Sequence, residues 1–300
     1  MRTLDPLDRL DRRADTALLV IARTPRDATA DALPRALVRC YRTIAVWIVD
    51  AFVHERIPPV WRFGPYDVIA VTRPNDVDIY RRRFGDRIIQ FPWGTDALGL
   101  GTGTPDRAVD VLRVGRQPPA WDDDAASAEA CAERNLVFMG RPPSLDDPLD
   151  SHAALLRCMA GARFLVAHSN LAAPAPYTHP TQAYVTARWT DALAAGCVVA
   201  GVPPWEDAST NTLWPEALLP FEEIDLASNV ALLAEAKACW SSLIPLRNHR
   251  EALARLDWRW RIRDLARRLG VVSEPLEAEL RLLRKRIADL DRELAARGVC

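Results

Sequence analysis

No run of eighteen apolar residues occurs in the sequence, so no helix in it is built to cross a bilayer. Charge bias is also missing. Lys+Arg number 39 against 40 Asp+Glu, a net −1 over 300 residues, and no global basic field draws the chain to nucleic acid or anionic lipid. The opening MRTLDPLDRLDRRAD lacks the apolar core of a signal peptide and carries acids. No two of the six cysteines (Cys40, Cys131, Cys158, Cys197, Cys239, Cys300) form a CxxC pair. They read as free thiols in a reducing cytoplasm, not as a bridge framework or metal ligands. His152, His179 and His249 have no spacing to cysteine or carboxylate that suggests a metal site. A GxSxG elbow is absent, which disfavours α/β-hydrolase chemistry. No repeat of about 20–50 residues is apparent.

What remains is an ordinary globular balance, 49% apolar and 26% charged, with length for about two domains. Ten tryptophans and 23 prolines stand out, implying aromatic-rich packing and many defined loops. The first part alternates apolar runs with amphipathic stretches. ALLVIA (17–22), TIAVWIVD (43–50), DVIAVT (67–72) and RIIQF (87–91) read as strands. Residues 30–42 read as a helix, and 75–85 as another, capped by Asn75 and stopped by Gly85. The Gly- and Thr-rich stretch 92–106 reads as a linker, since GLGTGT (99–104) lacks both lysine and a strand-turn-helix context. Alternation then restarts, with strands at 109–115, 135–140, 163–169 and 197–202. Helices fall at 124–135, 151–162 and 186–196, and the chain reads as helical from 226 onward. The fold class is α/β: two Rossmann-like doubly wound halves facing a cleft, with a helical tail. Domains are expected at 1–105, 106–270 and 271–300. Ligands of such sheets bind outside the carboxyl ends of the strands, so residues just after strands are the candidates.

The strongest local signal is YVTARWTDALAAGCVVAGVPPW (184–205). Its helix carries Arg188, Thr190 and Asp191 in the N-terminal half, where unpaired N–H groups favour anions. Surface arginines and a first-turn acid are the plainer readings of Arg188 and Asp191. The segment resembles the donor-binding helix of GT-B nucleotide-sugar glycosyltransferases: an acid, Ala-Leu-Ala-x-Gly, then a Val-rich strand. It is also similar to the Tyr-Ile-Thr-Glu-Lys-Leu motif of bacterial α1,3-fucosyltransferases, with Arg188 at the diphosphate-binding lysine and Ala187 replacing the glutamate. Asp191 falls where GT-B enzymes have the ribose-binding glutamate. RFLVAHSN (163–170) resembles the strand ending in Phe-Glu-Asn, which places His168, Ser169 and Asn170 at the donor site. VLRVGRQ (111–117) resembles the Gly-Arg that opens the second GT-B domain, so the likeness assigns Arg116 to the donor phosphate. WIVDAF (47–52), 66–82 and FPWGTD (91–96) read like the first domain of group 1 glycosyltransferases. Two departures stand out: position 183 is Ala where retaining group 1 enzymes begin Glu-x7-Glu, and the first domain is short.

The resemblance implies transfer of a sugar from a nucleotide-diphosphate donor to an acceptor nucleophile, with no cofactor and no essential metal. Arginines suit the leaving diphosphate through permanent, fork-shaped contacts. A base for the acceptor hydroxyl is expected at Asp50 or His54, at and just after a strand end. Two alternatives are a GT-B-like sugar-nucleotide epimerase and a non-catalytic nucleotide-sugar-binding or scaffolding protein. In the tail, Leu276, Leu280, Leu283, Ile287, Leu290 and Leu294 are spaced as a heptad seam. Glu279 with Arg284, and Arg286 with Asp291, would pair between parallel chains. A homodimer through 274–297 is expected; the competing reading docks this helix on its own chain.

Overall fold

The computed structural model describes residues 17–205 and 212–298. The opening MRTLDPLDRLDRRAD and Cys300 lie outside the described residues. Contacts divide the chain into two units. One runs up to Pro92 and adds Arg261–Leu276; the other comprises Trp93–Trp260 and the chain from Glu277 onward.

The first unit holds four parallel strands in chain order: β1 (Ala17–Ala22), β2 (Thr43–Ile48), β3 (Val68–Val71) and β4 (Ile88–Gln90). All of β3 and all but the first residue of β2 are buried, as central parallel strands covered on both faces must be. Ile44, Val46, Ile48, Ile69 and Val71 pack with Tyr66, Tyr80 and Phe84 into one core. The helix expected over 30–42 shortens to α1 (Arg35–Cys40), preceded by 3-10 turns at Pro25–Ala28 and Ala30–Ala32. Pro34 is the cause, because a residue preceding proline is pushed out of the helical region. Helix α2 (Pro74–Phe84) begins one residue before Asn75, with Arg73 at the cap position. Proline fits that first turn, where its missing N–H would be unpaired anyway. Gly85, at φ +66°, ends the helix as expected.

The second unit has five parallel strands, β5 (Val109–Arg113), β6 (Phe138–Met139), β7 (Ala162–Val166), β8 (Val198–Gly201) and β9 (Leu218–Pro220), in the order β6-β5-β7-β8-β9. Between them run α3 (Asp124–Glu133), α4 (Pro148–Ala160) and α5 (Ala187–Ala194), followed by α6 (Leu226–Ala238) and α7 (Ile244–Arg255). The chain leaves β5 toward β6 on one side and then places β7 on the other. The order therefore reverses between β5 and β7, the topological switch point of a doubly wound sheet. Val111, Phe164, Val166 and Val198 form the core with Trp121, which stacks on Phe221 at 6.0 Å.

The stretch read as a linker is packed into this unit. The Thr95 N–H donates to the Leu256 carbonyl and the Thr102 N–H to that of Ala194, both at 3.0 Å. A Cβ on Gly101 would come within 2.7 Å of the Ala194 oxygen, so this glycine serves close backbone approach and not flexibility.

Two more helices follow, α8 (Trp258–Arg268) and α9 (Glu274–Ala296). Four of the six residues of the seam expected to face a second chain are buried within one, while Leu276 and Ile287 are half-buried. Leu280, Leu283 and Leu290 are 0% exposed and Leu294 8%. The flanking residues are also taken internally. Glu279 pairs with Arg259 at 2.6 Å, Asp291 with Arg250 at 2.7 Å, and the Arg284 guanidinium lies 5.4 Å from the Trp260 ring. A heptad pattern records one apolar stripe without saying which surface covers it, and here that surface is the helix's own chain. Among the described residues no helix is long and apolar enough to cross a membrane, and five cysteines are free.

Candidate functional site

The switch point of the second unit gathers four of the residues singled out from the sequence. β5 runs into Val114–Gln117, and Gly115 takes φ +73°, which few side chains tolerate. A Cβ there would stand 2.8 Å from Cδ of Arg188, so the missing side chain is what lets Arg188 lie along this turn. Arg188 is the second residue of α5, in the turn whose N–H groups have no intrahelical partner. Its Nη1 donates to the Arg116 carbonyl at 3.0 Å and to that of Val114 at 3.5 Å. Arg116 in turn donates through Nε to the Ala173 carbonyl and through Nη1 to the Tyr177 hydroxyl at 2.9 Å. Burial first, and the Arg116 charge second, lower the pKa of Arg188. Two cations are thus held together where a helix start already favours negative charge.

His168 and Asn170 follow β7. The His168 ring is buried, and its Nδ1 accepts the Val202 N–H at 3.3 Å. Burial, assisted by Arg188, pushes its pKa down to about 4, so the ring is neutral at pH 7. Asn170 Nδ2 donates to the carbonyls of His179 and Gln182, both at 2.9 Å, which fixes the segment between them.

Asp191 belongs to a different environment. It lies deeper in α5, where its carboxylate faces His152 of α4 at 3.4 Å and takes a hydrogen bond from Thr95. Burial raises its pKa against those two partners. Among the described residues its hydrogen bonds run to His152 and Thr95 and to neither arginine.

The first unit carries the two expected bases. Asp50 sits just past β2, 3.6 Å from Arg23, with its pKa raised by burial and opposed by that arginine. His54 lies on a 3-10 turn, His54–Arg56, and its Nε2 meets Asp76 Oδ1 at 2.8 Å. Asp76 is fully buried in the first turn of α2, with Arg73 Nε 3.3 Å from its other oxygen. A buried carboxylate holding an imidazole that is itself partly exposed orients that ring for proton transfer. Among the described residues no group of three or more His, Cys, Asp or Glu is placed to hold a metal.

No protein-family model matches the chain, and no curated protein matches it. Solved structures do match. The crystal structure of Anabaena Alr3699/HepE in complex with UDP is similar over 84% of this chain and 78% of that one, at 12% identity and a TM-score of 0.52. The same Anabaena protein with UDP-glucose gives 11% identity and 0.49 over the same shares. The pneumococcal O-GlcNAc transferase GtfA in complex with UDP and GlcNAc is similar over 90% of this chain and 57% of that one, at 12% and 0.45. The first of these likenesses shows the fold, two parallel α/β units of the GT-B kind.

Sequence reasoning passed over several residues of these environments. Gln117 directly follows Arg116, and its Nε2 donates to the carbonyls of Val114 and Val166, tying the ends of β5 and β7 together. Thr186 stands at the cap position of α5 with a buried hydroxyl that has no partner among the described residues. Both lie at strand or helix ends, the positions that topology marks out. Asp76 gave no signal beyond a helix acid, because its partner lies 22 residues away.

Proposed function

We propose that the chain is a glycosyltransferase that takes a sugar from a nucleotide-diphosphate donor and passes it to an acceptor hydroxyl without an essential metal. The observation that carries this reading is Arg188, half-buried at the start of α5, whose guanidinium donates to the Arg116 carbonyl at the switch point and feels the Arg116 charge. Bringing two guanidinium groups together in a half-buried place is unfavourable alone and favourable around a diphosphate. The likeness of 184–202 to fucosyltransferase and GT-B donor helices supports the same role for Arg188. The HepE structure, solved with UDP, makes a uridine nucleotide the first probe to try.

In this reading residues 106–270 take the donor and residues 1–105 the acceptor. Departure of the nucleoside diphosphate is stabilised by the two arginines and the helix start, which replace a divalent cation. His54, oriented by Asp76, accepts the proton of the attacking hydroxyl, and Asp50 is the second candidate.

A thermal-shift panel of UDP, GDP, TDP and ADP tests the donor site. A ligand at a hundredfold excess over its Kd stabilises by about 2.7 kcal/mol, worth roughly 4 °C in a chain of this size. No shift with any of the four removes the reading. Nucleoside diphosphate release from the matching nucleotide sugar tests turnover, and loss of that release to a chelator, with recovery on adding manganese, removes metal independence.

A further inference from the structure

Three side chains at the carboxyl edge of β5 and β7 share a state: one end is fixed by backbone, and the other has no partner among the described residues. Gln117 spends both Nε2 hydrogens, on the Val114 carbonyl at 3.0 Å and the Val166 carbonyl at 3.1 Å. Asn170 spends both Nδ2 hydrogens, on the His179 and Gln182 carbonyls at 2.9 Å. Flipping either amide would press its oxygen against two carbonyl oxygens, so both orientations are settled. Oε1 of Gln117 and Oδ1 of Asn170 are therefore obligatory acceptors, and both are buried and unpaired. His168 is the complement. Its Nδ1 accepts from Val202, so its proton is on Nε2, a donor that is also buried and unpaired. The three residues are 5%, 4% and 0% exposed. Native proteins leave only a few such atoms unmatched per hundred residues, and here three fall at the ends of two neighbouring strands.

The polarity of the set selects the ligand chemistry. Phosphate oxygens only accept, so they could satisfy His168 and neither amide. A hydroxyl both donates and accepts, so hydroxyl groups match each of the three. Phosphate is the natural partner of Arg116 and Arg188 instead.

We propose that Gln117, with Asn170 and His168, reads the hydroxyls of the donor, and that Gln117 is a specificity-determining residue. The proposal rests on the nucleotide-sugar reading above and assigns the hydroxyl-bearing part of that ligand to side chains distinct from those that take its phosphates. The three atoms are closed to solvent, so binding displaces a covering segment. Residues 171–178 follow Asn170 directly and are attached to Arg116 through the Ala173 carbonyl and the Tyr177 hydroxyl.

The wild-type chain provides the first test. Side-chain amide resonances of Gln117 and Asn170 are followed by NMR during saturation with UDP, UDP-glucose or inorganic pyrophosphate. They shift with UDP-glucose and stay in place with pyrophosphate. A shift already complete with UDP assigns the ribose side, and one seen only with UDP-glucose assigns the sugar. Calorimetry adds a variant: Gln117→Leu weakens UDP-glucose at least tenfold and pyrophosphate less than twofold, whereas Arg188→Ala weakens both. Unmoved amide resonances at saturation, or Gln117→Leu binding UDP-glucose like wild type, overturns the proposal. Wild-type protein that binds neither UDP nor UDP-glucose overturns the donor reading itself, a result distinct from the other two.

Discussion

Arg188→Ala separates a phosphate ligand from a structural arginine, because the two roles predict different pairs of measurements. In the protein alone the side chain makes one good backbone hydrogen bond, to Arg116 at 3.0 Å, and one long one, to Val114 at 3.5 Å. Their loss is about 1 kcal/mol, and it is partly offset by relief of the burial and Arg116 repulsion that lower the Arg188 pKa. The melting temperature should therefore move by only a few degrees. Binding is another matter. A guanidinium–phosphate contact is worth about 1.5–3 kcal/mol, which at about 1.4 kcal/mol per decade is a loss of roughly 10- to 150-fold in affinity. Turnover falls further, since charge grows on the leaving diphosphate during the reaction. Calorimetric titration with the nucleoside diphosphate that passes the thermal-shift panel, beside a melting curve, reads both quantities. Arg188→Lys recovers part of the affinity, because the charge returns without the planar fork. Affinity within twofold of wild type, or a large melting loss with affinity unchanged, would refute the assignment.

Four other perturbations have equally definite outcomes. His168 and His249 are each held near a pKa of about 4 by burial. The unfolded chain then takes up protons below pH 6.5 before the native one does, so stability is complete above that pH and declines toward pH 4. The loss is roughly 3 kcal/mol per histidine; urea midpoints that stay level from pH 7 to 4.5 contradict it, and His168→Gln should flatten the curve. Leu283→Ala should cost about 2–5 kcal/mol with no change in mass by light scattering, whereas loss of a dimer at unchanged stability would return the α9 seam to a second chain. Gly201→Ala should cost about 3 kcal/mol or more, because at φ +144° a Cβ would overlap the Ala167 carbonyl oxygen; a wild-type melting curve speaks against that backbone. Asp76→Asn should lower turnover about a hundredfold while leaving donor affinity alone, and unchanged turnover removes His54 as the base.

Strands were legible as continuous apolar runs, ALLVIA, TIAVWI and FLV, as expected of parallel strands, although β1 lies at the sheet edge and is mostly half-buried. β9 was not, because three residues at a sheet edge, one of them proline, carry no periodic pattern. The switch point made strand ends the places to look, and Arg188 reaches the Arg116 carbonyl there and bears on the His168 charge. What stayed hidden was the distant partner. Glycines at 99–103 signalled a flexible joint locally, and Gly101 turned out to admit the Ala194 carbonyl. The α9 stripe signalled a seam and left its cover unnamed. Asp76 and Gln117 acquire meaning only from His54 and from the carbonyls of β5 and β7.

The division of the chain also bears on its biosynthesis. The first unit is interrupted after Pro92 and regains Arg261–Leu276 only after the intervening Trp93–Trp260 has been made. A ribosome adding roughly 5–20 residues per second needs about ten to thirty seconds for that stretch. During this interval β1–β4 exist without the segment that completes their unit, and aggregation of the nascent chain competes with folding. The second unit is in turn incomplete until Glu277 onward supplies Leu280, Leu283 and Leu290. Neither unit is one continuous stretch of sequence, so a stop codon anywhere before α9 leaves both unfinished, and excising either as a separate fragment means joining two pieces of chain.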